Sequence, residues 1–180
     1  AEDLVYPRAV WHYARGMALA RRGEPTKAGL ELERLDALRK DPGLEWVTVW
    51  DTNKSQDLLA IASHTLAGEI AAARGDLEGA IARLQRAVER EEELAYDEPP
   101  PWHYPTRQAL GAVLLRAGKP EQAEATYRAD LVEFPENGWS LFGLLEALRQ
   151  QGKAGETEAV QRRFLEAWRH ADFVLTASRL

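Results

Sequence analysis

The residues best suited to chemistry are four histidines, His12, His64, His103 and His170, in a chain of 180 residues with no cysteine. A tetrahedral metal site takes three or four ligands, and without cysteine these must be imidazoles and carboxylates. His12 and His64 hold equivalent positions of an internal repeat, so Glu69 or Asp57 would have to supply the third ligand. Histidines at such positions more often pack and hydrogen-bond, so no metal or cofactor is expected. Ser63 and His64 do not form part of a nucleophile–base array, because adjacent helical residues face apart. No HExxH, glycine-rich phosphate loop or GxSxG motif occurs. No catalytic residue is therefore assigned, and the expectation is a non-enzyme.

The densest group of unusual side chains is "YDEPPPWHYPTR", residues 96–107. Three consecutive prolines cannot continue a helix, yet helical sequence flanks them on both sides. A polyproline run is stiff and extended. It can bridge two helical elements while Trp102, His103 and Tyr104 either pin the loop down or enclose a ligand, with Glu98 and Arg107 as polar contacts. Both roles stay open at this level.

The elements that position these residues recur. "GMALARRGEPTKAGLELERL", "GEIAAARGDLEGAIARLQRA" and "GAVLLRAGKPEQAEATYRAD" share one spacing of glycine, small and large residues, and "LEALRQQGKAGETEAVQRRF" keeps part of it. Gly23, Gly75, Gly118 and Gly152 stand where a first helix must end in left-handed backbone. Ala28, Ala80 and Ala123 fall inside the second helix at its tightest crossing. Leu32, Leu84, Tyr127 and Phe164 fill the space between helices. A single pair cannot bury its apolar face, so neighbouring pairs must stack.

This pattern resembles the tetratricopeptide repeat family, in three good copies and one degenerate copy. His12, His64, Arg107 and Leu141 stand where the family usually has Trp. The stretches "GEIAAARGD", "YDEPPPWHYP" and "NGWSLFGL" are also similar to the C-terminal part of larger bacterial tetratricopeptide-repeat proteins of no settled function. That similarity implies further repeats on the N-terminal side. The fold expected is all-α: a right-handed α-solenoid of about four antiparallel helix pairs, one domain over 1–180. Its repeats fall near 9–42, 61–94, 104–137 and 138–171.

The turn glycines lie 52 (23 to 75), 43 (75 to 118) and 34 (118 to 152) residues apart. The family period is about 34, so two inserts are expected, near 43–57 and 96–104. Helices are expected at 5–22, 25–40, 56–74, 77–95, 105–117, 120–134, 138–151 and 154–170. Pro25, Pro105 and Pro120 suit first turns, and Ser55 reads as an N-cap. "LEWVTVW" reads as either a helical turn or an extended piece. The tail 172–180 should pack Phe173, Val174 and Leu175 against the last pair.

Stacked pairs line a concave face with their first helices. Residues at spacings of three and four share a helical stripe, which selects Tyr13, Met17, Glu69, Gln108, Trp139, Phe142, Glu146 and Arg149 as the partner-binding groove. The alternative is that Trp139 and Phe142 are interface core. Arg86 and Glu124 read as outer-face residues. The expected function is a non-catalytic scaffold for a protein or peptide partner, with self-association also open to it. The alternative is a small-ligand or metal-binding domain working with the missing N-terminal half. The net charge of −6 argues against nucleic acid, which calls for a basic patch. No apolar run is long enough to span a membrane. The compartment, cytoplasm or periplasm, is not fixed by composition.

Overall fold

The structure, a computed structural model, describes residues 4–179. The chain divides into two compact units, Ala1–Thr106 and Arg107–Leu180. In unit 1 the elements are α1 Val5–Arg21, α2 Pro25–Arg39, a 3-10 turn Pro42–Leu44, β1 Thr48–Val49, β2 Asn53–Lys54, α3 Ser55–Ala73 and α4 Leu77–Glu92. Unit 2 contains α5 Thr106–Arg116, which begins at the unit boundary, then α6 Pro120–Glu133, α7 Gly138–Gln150 and α8 Ala154–Ala167. Each helix lies within three residues of its expected span. Apart from one two-stranded hairpin, the described residues form helices, turns and irregular loops.

The inter-helix turns α1–α2, α3–α4, α5–α6 and α7–α8 are built alike. Gly23, Gly75, Gly118 and Gly152 sit at φ 74°, 83°, 68° and 71°, where a Cβ would clash with its own backbone. The next residue then donates its N–H back to the final turn: Glu24 to Leu19 O at 2.9 Å, Asp76 to Ala71 O at 3.0 Å, Lys119 to Leu114 O at 3.0 Å and Lys153 to Leu148 O at 3.1 Å. This satisfies carbonyls that the helix end would leave without partners. Pro25 and Pro120 open α2 and α6, where no N–H is needed. Pro105 directly precedes α5.

Unit 1 packs α1 on α2, α3 on α4, and both α1 and α2 on α3. Helix α3 is apolar on nearly every side, with Leu58, Leu59, Ile61, Ala62, Leu66 and Ile70 buried. That is the pattern of a helix enclosed by its neighbours. In unit 2, α7 packs on both α6 and α8. There the Tyr127 ring lies against two glycines. A Cβ on Gly111 would come within 2.3 Å of it, and one on Gly143 within 2.2 Å. Ala28, Ala80 and Ala123 are fully buried, as their expected crossings require.

Two local expectations are corrected. Helix α3 starts at Ser55 itself, preceded by Lys54 with no side-chain cap. The Ser55 hydroxyl is buried without a hydrogen-bond partner, while its N–H donates to Val47 O at 2.9 Å at the base of the hairpin. In the tail, Leu175 is buried, but Val174 is strongly exposed and Phe173 stays 51% exposed while its ring meets Trp139 and Trp168. Leu180 lies outside the described residues.

Candidate binding surface

Both inserts belong to unit 1. The first resolves "LEWVTVW" as extended chain: after the 3-10 turn, Thr48 pairs with Lys54 and Val49 with Asn53, antiparallel. At the tip, Trp50 and Asp51 have φ of 56° and 58°. Asp tolerates that region, but a Trp placed there costs roughly 1–2 kcal/mol. Trp46 and Trp50 remain 86% and 66% exposed.

The second insert follows the end of α4 at Glu92, and the two inserts meet at Ala95. Asn53 Nδ2 donates to Ala95 O at 2.9 Å, and Ala95 N–H donates to Asn53 Oδ1 at 2.8 Å. Asn53 is itself buried, and both ends of its amide are used at the join. Tyr96, the next residue, is 80% exposed, and its hydroxyl donates to Glu98. That carboxylate pushes the Tyr96 phenol above its ordinary range. At the far end of the insert, Thr106 donates its N–H to Glu91 Oε2 at 2.8 Å, and its hydroxyl donates to the same oxygen.

The proline-rich loop is pinned through its rings. Trp102 is buried in the unit 1 core, 5.5 Å between ring centroids from Tyr13 and 4.8 Å from His103. His103 also meets Tyr13 edge-on at 6.1 Å. It keeps solvent exposure, but the rings desolvate one of its faces, and that burial lowers its pKa. Burial raises the Tyr13 phenol strongly, and the negative charge of Glu69 raises it further. The Trp102 N–H has no hydrogen-bond partner. Tyr104 is half-buried, as is Arg107 in the first turn of α5. Of the loop candidates, Trp102 is thus structural, while Glu98 and His103 stay accessible.

The groove candidates separate by unit. In unit 1, Tyr13 and Glu69 are buried and Met17 is half-buried against the core. In unit 2, Gln108 is buried. Trp139 packs against Trp168 at 5.7 Å and Phe173 at 6.2 Å, and Phe142 against Phe164 at 5.7 Å. Glu146 pairs with Arg149 at 2.6 Å. Burial withdraws Tyr13 and Glu69 from a partner, and Gln108 lies beneath the chain's own tail, its carbonyl 3.4 Å from Ser178 Oγ. Trp139 and Phe142 serve as packing between α7, α8 and the tail.

The histidines separate as well. His12 Nδ1 lies 2.6 Å from Glu31 Oε2, and Arg34 donates to Glu31 Oε1 at 2.8 Å. Burial raises the Glu31 carboxyl, but its bond to His12 and the charges of Arg15 and Arg34 outweigh that and hold it below its ordinary range. His64 is pushed down by burial and by Arg39, beside a bond from Ser63 Oγ to Asp36 at 2.7 Å. No group of three His, Asp or Glu residues suited to a metal occurs among the described residues.

Glu124 departs from its outer-face assignment. It accepts from Gln151 and Lys153, both at 2.7 Å, and from Arg128 Nε at 2.9 Å. Lys153 above all, with Gln151 and Arg128, holds its carboxyl down to about 2. Sequence reasoning also missed Asn53, Trp46 and Trp50. The tryptophans were legible as apolar mass in an insert, but Asn53 carries no local signal, since its partner lies 42 residues away.

The chain matches no protein-family model, and no curated protein is significantly similar to it. Among the described residues, no helix is long and apolar enough to cross a membrane.

Proposed function

We propose that the chain is a non-catalytic, tetratricopeptide-like helical-repeat module that binds a protein partner, and that the joined inserts of unit 1 carry the contact. The observation behind this reading is the exposure of Trp46, Trp50 and Tyr96 on two loops fixed to each other through Asn53 and Ala95. Exposed Trp and Tyr on a rigid support are the usual anchors of interface energy. Trp50 in addition holds a backbone conformation unfavourable for its type, which is characteristic of functional sites.

The charge around the rings defines the partner. The inserts carry Glu45, Asp51, Asp57, Asp97 and Glu98 against one Lys, Lys54, and no Arg. Aromatic faces beside carboxylates suit Arg or Lys side chains, which stack on the ring while pairing with the acid. The partner is therefore a basic protein segment. The test is affinity capture from the source cell with the wild-type chain, a Trp46→Ala/Trp50→Ala double variant and an Arg86→Ala control. The expected result is a partner held by wild type and control and lost by the double variant at unchanged melting temperature. An identical captured set on all three would refute the reading.

A further inference from the structure

After α8 the chain folds back over unit 2 with no regular secondary structure. Trp168 Nε1 donates to Phe173 O at 3.0 Å, and the Phe173 ring lies edge-on to Trp168 at 5.3 Å and tilted against Trp139 at 6.2 Å. Leu175 and Ser178 are 6% and 3% exposed. The Ser178 hydroxyl bonds to Tyr127 Oη and lies 3.4 Å from Gln108 O. Between these anchors, Val174 points to solvent. The segment is thus held by side chains at 173, 175 and 178 and by no strand ladder, which is how an extended peptide ligand sits on a helical face.

The physical demands of that face are specific. Tyr127 is enclosed by Gly111 and Gly143, so its ring cannot turn away, and its buried hydroxyl needs a partner. An aliphatic side chain alone would leave it unsatisfied, so a small hydroxyl is required at the position of Ser178. Trp139 and Trp168 turn their rings to the half-exposed Phe173, a setting that suits a ring or other large apolar group.

We propose that the unit 2 face bearing Gln108, Tyr127 and Trp139 is a peptide-recognition site which the chain's own segment 172–179 occupies in cis. It accepts in trans an extended peptide with a large apolar residue, an aliphatic one two positions on, and Ser or Thr three beyond that. The inference rests on the binding-module reading but concerns residues of unit 2 rather than the inserts. Segments held by few buried contacts and without backbone ladders open at the low end of a protein's stability range, so the cis segment is displaceable.

The experiment compares the full chain with one ending at Ala171, using a fluorescent synthetic peptide of residues 172–180 and fluorescence anisotropy. The shortened chain should keep its helical circular dichroism and bind the peptide saturably. The full chain should bind at least about tenfold more weakly, because self-occupancy lowers apparent affinity by the fraction of open sites. A peptide carrying Leu175→Asp should not bind. Equal binding by both chains, no saturable binding to a helical shortened chain, or loss of helicity on shortening would each overturn the proposal, the last by making the segment part of the core. Trp46 and Trp50 take no part in this assay, so its failure leaves the insert surface standing, and failure of the capture test leaves this one standing.

Discussion

Asn53 hydrogen-bonds both backbone groups of Ala95 across 42 residues, at 2.9 and 2.8 Å. One side-chain amide thereby locks the β-hairpin to the end of α4 and fixes the two inserts of unit 1 as one surface. Removing it leaves the N–H and carbonyl of Ala95 without this partner. Asn53→Ala should cost about 1–3 kcal/mol, read as a lower urea midpoint. It should also speed proteolysis within 42–54 and 96–105. A variant with wild-type stability and cleavage would show that the inserts are held by other means.

The contact between Tyr127 and its two glycines predicts a contrast. Gly111→Ala or Gly143→Ala places a methyl against an aromatic ring that has nowhere to go, so each should destabilise by about 1–3 kcal/mol through overpacking. Gly155→Ala meets nothing within 4 Å in the first turn of α8, and should be neutral or stabilising by up to about 1 kcal/mol. Chemical denaturation of the three variants measures this, and an equal effect at all three would contradict the packing described.

Asp130 is buried and accepts from the Ser140 hydroxyl; the Gln108 amide is nearby without closing a hydrogen bond. Burial raises its pKa, with Ser140 and Gln108 only partly offsetting it. The folded state therefore keeps a proton that the unfolded chain has lost, and stability falls as pH rises from the ordinary carboxylate range through the raised value. Asp130→Asn should remove this loss, giving a melting temperature above wild type at pH 7 and a gap that narrows on acidification. A variant less stable at pH 7 would mean that the charged form is the favoured one.

Glu124 works in the opposite direction. Its folded pKa, about 2, lies below its ordinary value of 4.5, so its contribution is complete above pH 4.5 and is lost as pH falls toward 2. Lys153 and Arg128 keep partial exposure, and screening reduces the effect. Glu124→Gln should therefore cost about 1 kcal/mol at pH 7 and almost nothing near pH 2. Melting curves across that range decide it.

Trp139→Ala should lower stability by about 2–4 kcal/mol, because it opens a cavity between α7, Trp168 and Phe173. Trp46→Ala should change stability by under about 0.5 kcal/mol, as surface positions do. A Trp139 variant with an unchanged melting temperature would show that the ring adds nothing to the packing of α7 against Trp168 and Phe173.

The sequence by itself determined the helices and the turns between paired helices. Gly23, Gly75, Gly118 and Gly152 announce their left-handed backbone because the reason is local: each turn closes bonds within five residues, and only glycine adopts that φ without strain. Tyr127 was legible as a residue filling the space between helices, since size and period encode a close crossing, but its contact with Gly143 was not. Helical spacing placed Tyr13, Glu69, Gln108, Trp139 and Phe142 on their stripes, but spacing does not say what covers a stripe. Tertiary structure decided that Trp102 covers Tyr13, and that Trp168 and Phe173 cover Trp139. It likewise set Asn53 against Ala95 and Ser178 against Tyr127. Those pairs lie 42 and 51 residues apart, and no local pattern records them, because side chains so distant in sequence meet only when the packing of the helices brings them together.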